Sequence, residues 1–343
     1  MTNWPRYTRT LLSSATIIGV AVLVFILVMD PYQNVPFSPP LDRAPISSNQ
    51  RFAYPAIARD EEYDSLVLGT STTRLLNPAG LAPDAARFAN LSMNSATAYE
   101  QMRIHEVFVR HHPAMKYLVI GIDGTWCDRS VTPQRYTFRA FPEWMYDENL
   151  YNDLLYLFND KALENAVRML ELFRGRREPK YDRNGYHDFS ADFNSRDEAG
   201  VLERLAPLAR STPVRAAVRP RRARSGNEFP SLASLADLLA RTPSTTRIVL
   251  LLPPLHVHFI SRKRALFSEC KGKLLERVQG DHRIDVLDYF FASELTRSSQ
   301  NYWDILHFTR AVALLIEDDI SNVLAGRAPH PQYARFYGRS EAD

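Results

Sequence analysis

The chain has 343 residues, 45% of them hydrophobic and 24% charged, an ordinary globular balance with ample apolar material for a large core. Its net charge of +3 is too small to make nucleic acid a partner. Cys127 and Cys270 are the only cysteines, too few for a disulfide framework, and they read equally as a bonded pair or as small buried hydrophobes.

Residues 11–29, LLSSATIIGVAVLVFILVM, form a run of nineteen without a charge. At 1.5 Å per residue the run reaches roughly 28 Å, close to the thickness of a bilayer's hydrocarbon core. A cleaved signal peptide would carry a shorter apolar region and a small-residue cleavage site, but this run continues as VMDPYQNVPFSPP. Residues 1–30 are therefore read as a short cytoplasmic tail and an uncleaved single-pass anchor. Arg6 and Arg9 precede the run and Asp30 follows it, so the positive-inside bias puts the bulk of the chain outside the cytoplasm. In a Gram-negative envelope that side of the plasma membrane is the periplasm. Residues 31–60, rich in Pro, Ser and Arg, read as an extended stalk.

A rhythm of strands and helices follows. YDSLVLG (63–69) reads as a buried strand and ARFANLSM (86–93) as a weaker one. Thr97 and Glu100 form a capping-box pattern, and Ile104, Val107 and Phe108 continue it as a helical apolar stripe. MKYLVIGID (115–123) and TRIVLLLPPL (246–255) are strong strands, followed by a helix over 261–278, a strand at RIDVLDYF (283–290) and a helix over 309–324. Uninterrupted apolar strands alternating with amphipathic helices predict an α/β domain over 61–325, with a parallel sheet of about five strands and helices on both faces. Residues 326–343 are left as a C-terminal tail. Between 125 and 245 the rhythm breaks, and that stretch reads as an insertion, helical in the second half of FPEWMYDENLYNDLLYLF (141–158) and loop-like in its arginine-rich parts.

Functional groups of open parallel sheets gather at the carboxyl ends of strands. Here those ends carry Gly69-Thr70-Ser71 with Arg74 behind it, the stretch from Asn90 to Ser95, Asp123-Gly124, and NYWDILHFT (301–309). Asp304 and His307 are three apart, so on a turn both side chains can point the same way. A histidine that takes a proton from a serine works best with a carboxylate holding its tautomer, and Ser71, His307 and Asp304 together meet the residue requirements for acyl transfer. By itself Ser71, on a common Gly-Thr-Ser strand exit, reads first as a helix cap. Arg74 reads as an ion-pair residue or a contact for an anionic substrate group. His256 and His258 in LHVH could pair on a metal, but no Cys or carboxylate completes the set, so neither metal nor cofactor is expected. Trp126, Trp144, Tyr146 and Tyr151 are candidates for stacking on sugar rings or for the core.

GTSTTR and DILH resemble the first and last sequence blocks of the SGNH/GDSL hydrolase superfamily, particularly its membrane-anchored envelope branch, which includes the D-alanyl-transfer protein of teichoic acid synthesis and the alginate O-acetylation proteins. The resemblance covers about 63–124 and 245–325, and implies a flavodoxin-like sheet with Ser71 as nucleophile, His307 as general base and Asp304 as its orienting carboxylate. It also implies an oxyanion site from two middle blocks, where NLSMNSAT (90–97) has Ser92 and Ser95 in place of glycine and GIDG puts Asp123 in place of asparagine. An ionised carboxylate cannot donate a hydrogen bond, so Asn90 or Asn94 would have to supply an amide.

Two functions follow from the resemblance. One is an extracytoplasmic serine esterase or O-acyltransferase acting on a cell-envelope polysaccharide or acylated glycan. The other is a non-catalytic envelope protein that binds glycan or a multi-spanning membrane acyltransferase.

Overall fold

The computed structural model describes residues 4–338 except 82, 131 and 193–228. The arginines of VRPRRARSG (218–226), read as part of a charged insertion, lie outside the described residues. The chain divides into two compact units, one of Met1–Ala56 with Phe141–Arg183 and the other of Ile57–Ala140 with Asn184–Asp343.

The first unit begins with helix α1 (Trp4–Met29), long and apolar enough to cross a membrane. The segment expected as an extended stalk is folded. Tyr32, Val35, Ile46, Ala53 and Tyr54 are buried, and residues 50–59 form helix α2 (Gln50–Arg59). The reason lies in the distant segment 141–183, which supplies the partners that the local sequence lacks. Tyr181 meets the Tyr54 ring edge-on at 6.4 Å, and the Tyr146 hydroxyl donates to Arg51 O at 3.0 Å. This half of the predicted insertion holds 3-10 turns at 143–146 and 152–157. Helix α4 (Asp160–Phe173) follows them, opened by the Asn159 side chain on Ala162 N at 2.8 Å.

The second unit is built on one sheet of six strands. They are β1 (Ser65–Leu68), β2 (Phe88–Asn90), β3 (Tyr117–Gly121), β4 (Arg247–Leu252), β5 (Ile284–Asp288) and β6 (Arg335–Tyr337). The order is β2-β1-β3-β4-β5-β6, parallel except for β6, which pairs antiparallel on the β5 edge. The expected tail thus contributes an edge strand, because Phe336 and Tyr337 find a ladder in β5 that residue patterning alone cannot reveal.

Strand interiors are buried on both faces, as their unbroken aliphatic runs require. Val67, Val119, Val249 and Leu287 share a core with Val312, Ile316, Ile320 and Val323 of helix α9 (Arg310–Leu324). Leu66, Leu118 and Leu250 point the other way. Helix α3 (Ala98–His111) packs against β1 and pairs with helix α5 (Pro230–Arg241). The Thr97/Glu100 capping box that opens α3 is formed in both directions. α5 precedes β4 as a crossover helix, so the core resumes at 230 rather than 245. The helix expected over 261–278 is two, α6 (Val257–Arg262) and α7 (Arg264–Val278), broken at Lys263; a short α8 (Glu294–Arg297) follows β5. Cys127 and Cys270 are joined, tying the loop after β3 to α7.

Candidate active site

β1 and β2 run outward from the middle of the sheet, and the chain then returns across β1 to start β3. The carboxyl ends of β1 and β3 therefore flank the point where the winding direction switches, the usual place for a ligand crevice. Ser71 stands on the turn leaving β1 and Asp123 on the one leaving β3.

Two glycines shape the serine turn. Gly69 sits at φ +151°, and a Cβ there would run into the Thr73 side chain; a Cβ on Gly121 would meet the same side chain from β3. Thr73 fills the space, donating its hydroxyl to Ser92 Oγ or Thr70 O at 2.9 and 3.2 Å. The buried Asn90 side chain then holds the rest of the turn, its NH2 group facing Thr73 O, Arg74 O and Leu76 O at 3.2, 3.4 and 2.8 Å. From α9, Glu317 accepts from Asn77 N at 2.6 Å and Arg310 donates to Leu75 O at 3.1 Å. The turn is thus fixed by buried polar groups on several elements, which presents the serine hydroxyl at low reorganisation cost.

The partner loop is equally constrained. Tyr302 and Phe308 form an antiparallel bridge that closes 302–308 into a tight loop. Inside it, Asp304 Oδ1 accepts from Leu306 N at 2.7 Å and His307 N at 2.8 Å, leaving Oδ2 to accept from His307 Nδ1 at 2.7 Å. His307 Nε2 then lies 2.8 Å from Ser71 Oγ. Burial pushes the Asp304 carboxyl up, but the His307 hydrogen bond and charge and the two backbone amides outweigh it, so it titrates below its ordinary value. Ionised Asp304 fixes the proton on Nδ1 and leaves Nε2 as the acceptor for the serine proton.

His256 reaches the same loop from behind, its N–H donating to Ile305 O at 3.2 Å. Its Nδ1 accepts from His258 N at 3.3 Å, so Nε2 carries the proton and donates to Ser299 Oγ at 3.3 Å. Burial, then the neighbouring His258, pulls this imidazole down to about 4. The backbone N–H of His256 holds the loop, while its neutral ring faces Ser299 and meets Tyr302 edge-on at 5.3 Å.

The structure separates the remaining candidates by role. Asp123 accepts from Thr70 Oγ1, from Thr72 Oγ1 at 3.3 Å and from Thr125 N at 2.9 Å, tying the two strand exits together on either side of Ser71. With its oxygens so occupied it is a clamp on the turn, not a hydrogen-bond donor. Asn90, fully buried and committed to backbone carbonyls, is no oxyanion donor either. Ser92 is buried behind Thr73. Asn94 Oδ1 is held by Arg74 Nη1 at 2.6 Å, which turns the NH2 end of that amide the other way. The buried Arg74 guanidinium lies 4.3 Å from the Phe189 ring centroid, and that ring meets His307 edge-on at 6.2 Å. Among the described residues the backbone N–H of Ser71 has no acceptor, so it is one donor open to a ligand. Ser95 adopts φ +54°, the left-handed conformation that favours glycine.

Phe189 belongs to a stretch whose sequence predicts loop, so residue patterning does not single it out. Its signal was the aromatic cluster in NGYHDF (184–189), which returns to the sheet where Asn184 O accepts from Asn90 N at 2.8 Å. Of the aromatics that could stack on sugar rings or fill the core, Trp126 and Tyr146 are fully buried core residues, whereas Tyr151 is exposed and Trp144 half-buried. Beside the serine turn, past Asn94 and Asp123, a groove of about 480 Å³ is lined by Ser95, Thr97, Gly124, Thr125, Gln134 and Phe138 among others. Phe138 is 84% exposed on the groove's rim, with the Arg139 guanidinium over one side of its ring at 5.1 Å from the centroid.

In comparisons with family models and with curated proteins, the chain matches none.

Proposed function

We propose that this chain is a membrane-anchored, extracytoplasmic serine esterase or O-acyltransferase of the SGNH/GDSL type, acting on a cell-envelope glycan. The observation that carries the reading is the continuous hydrogen-bonded line from Asp304 Oδ2 through His307 to Ser71 Oγ, with steps of 2.7 and 2.8 Å. The flavodoxin-like order 2-1-3-4-5 of the parallel strands agrees with it, as does a disulfide, which belongs outside the reducing cytoplasm.

In this reading Ser71 Oγ attacks an ester carbonyl while its proton passes to His307 Nε2. The tetrahedral intermediate collapses to an acyl-serine, and the departing alcohol leaves with the proton from His307. Water or a sugar hydroxyl then gives its proton to His307 and attacks the acyl-serine, and Ser71 Oγ recovers that proton as the acid or new ester is released. The Ser71 N–H and the Asn94 amide are the proposed oxyanion donors, and the groove beside Ser95 and Phe138 is the proposed seat of the glycan, with Phe138 as a stacking face.

A second reading, a non-catalytic glycan- or acyltransferase-binding protein, draws support from Asp123 and Asn90, whose side chains are spent on holding the turn. A fluorophosphonate probe separates the two. The enzyme requires labelling of the wild type that vanishes in Ser71→Ala and is strongly impaired in His307→Ala. A folded protein with no Ser71-dependent labelling and no activity on acetyl esters would be the binding module.

A further inference from the structure

The outer end of α1 is enclosed by protein, at odds with a helix that simply emerges into water. From Leu11 to Ala21 its residues are exposed; from Val22 the covered ones begin, with Ile26 and Met29 buried, and α4 packs against the helix. Three of the four carbonyls that a helix end ordinarily leaves to solvent have protein donors. Ile26 O accepts from Asp30 N at 2.8 Å, Val28 O from Arg43 Nη2 at 2.9 Å and Met29 O from Arg43 Nε at 2.8 Å. Arg43 Nη1 also donates to Pro39 O at 2.8 Å, which folds the 37–43 loop back onto the helix end. Asp30, 2% exposed, accepts from Asn34 N at 2.9 Å, Val35 N at 3.2 Å and Ser38 Oγ at 2.8 Å. Covering the polar groups of a helix end with protein donors is what a hydrocarbon environment favours.

Length makes the point quantitative. The uncharged run 11–29 spans a bilayer core only if all of it is used. Were the protein around 22–29 standing in water, residues 11–21 would offer roughly 16 Å against a core of about 30 Å. Counted on the uncharged run alone, the covering protein lies at membrane depth. The loop that Arg43 pins carries Phe37 and Leu41, 58% and 40% exposed, while the exposed charges of α4 include the Lys161–Glu164 pair at 2.8 Å in its first turns. α4 ends in Phe173, 39% exposed, with exposed Arg174 and Arg176 directly after it, the aromatic and basic order of an interfacial segment.

We propose that the 37–43 loop and α4 form a collar seated in the outer-leaflet interface, with phospholipid as its partner and Phe37 and Leu41 as the side chains that enter it. The collar rests on α1 crossing a bilayer and is independent of the chemistry at Ser71. In the test, the full chain in nanodiscs carries one added cysteine, labelled with an environment-sensitive fluorophore while Cys127 and Cys270 stay bonded. Phe37→Cys and Leu41→Cys should be blue-shifted and quenched at least about twofold by lipids spin-labelled near the headgroup, relative to the water-facing Ala79→Cys. Val20→Cys, quenched by deep spin labels, reports α1 insertion by itself. Insertion at Val20 with water-like signals at 37 and 41 would overturn the collar alone. Water-like signals at all three would remove the anchor, and the collar with it.

Discussion

Replacing Asp304 by asparagine preserves shape and changes one proton. In the native loop Oδ1 receives the N–H groups of Leu306 and His307 at 2.7 and 2.8 Å while Oδ2 receives His307 Nδ1–H. An asparagine must keep its carbonyl oxygen on the two amides, because the reverse orientation sets its NH2 against two donors and loses two hydrogen bonds, about 2–3 kcal/mol. The NH2 group then faces Nδ1, which must become an acceptor. The ring proton moves to Nε2 and points at Ser71 Oγ, so the base is filled. At about 1.4 kcal/mol per decade, this leaves roughly 1–4% of rings in the competent tautomer. Loss of the anion opposite the developing imidazolium, about 1.5–3 kcal/mol, costs roughly another one to two decades. We expect Asp304→Asn to label with a fluorophosphonate about 10³–10⁴-fold more slowly than wild type, at an almost unchanged melting temperature. Asp304→Ala, which leaves the tautomer free, should be no slower than Asp304→Asn despite deleting more contacts. An Asp304→Asn protein that labels within tenfold of the wild type would show that Asp304 does not set the His307 tautomer.

Further outcomes follow from the supports around the site. Asn90→Ala strands the carbonyls of Thr73, Arg74 and Leu76, and should cost about 2–4 kcal/mol in urea unfolding as well as slowing labelling; an oxyanion donor would lose rate with no loss of stability. Ser95→Gly should be stable to within about 0.5 kcal/mol and keep its labelling rate, since glycine adopts φ +54° freely, whereas Ser95→Val should cost about 1–2 kcal/mol by chemical denaturation. Burial depresses His105 to about 3 and His256 to about 4. Between their ordinary value of 6.5 and about pH 4 the unfolded chain therefore binds two protons that the folded chain refuses. Stability is full above that window and falls on acidification, at roughly 1.4 kcal/mol per pH unit for each ring, and His105→Gln should remove one of the two contributions from denaturation curves at pH 4.5–6.5.

Much of this protein is set by local chemistry and was legible in the chain itself. Unbroken aliphatic runs such as IVLLL in β4 suit only a strand covered on both sides, and Thr97 with Glu100 satisfies the orphan donors of α3 using groups three residues apart. The Asp304–His307 pair likewise needs only its own loop. What tertiary structure alone decided are the long-range pairings. Residues 31–56 look extended because their partners, Tyr146 and Tyr181, lie about a hundred residues downstream. Residue type suggested Asp123 and Asn90 for an oxyanion site, yet their hydrogen-bond capacity is consumed by Thr70, Thr72 and the carbonyls of 73–76, neighbours that exist only once β1, β2 and β3 lie side by side. Hydrogen bonds saturate, so whether a polar side chain is structural or free to act depends on which groups the fold has already placed against it.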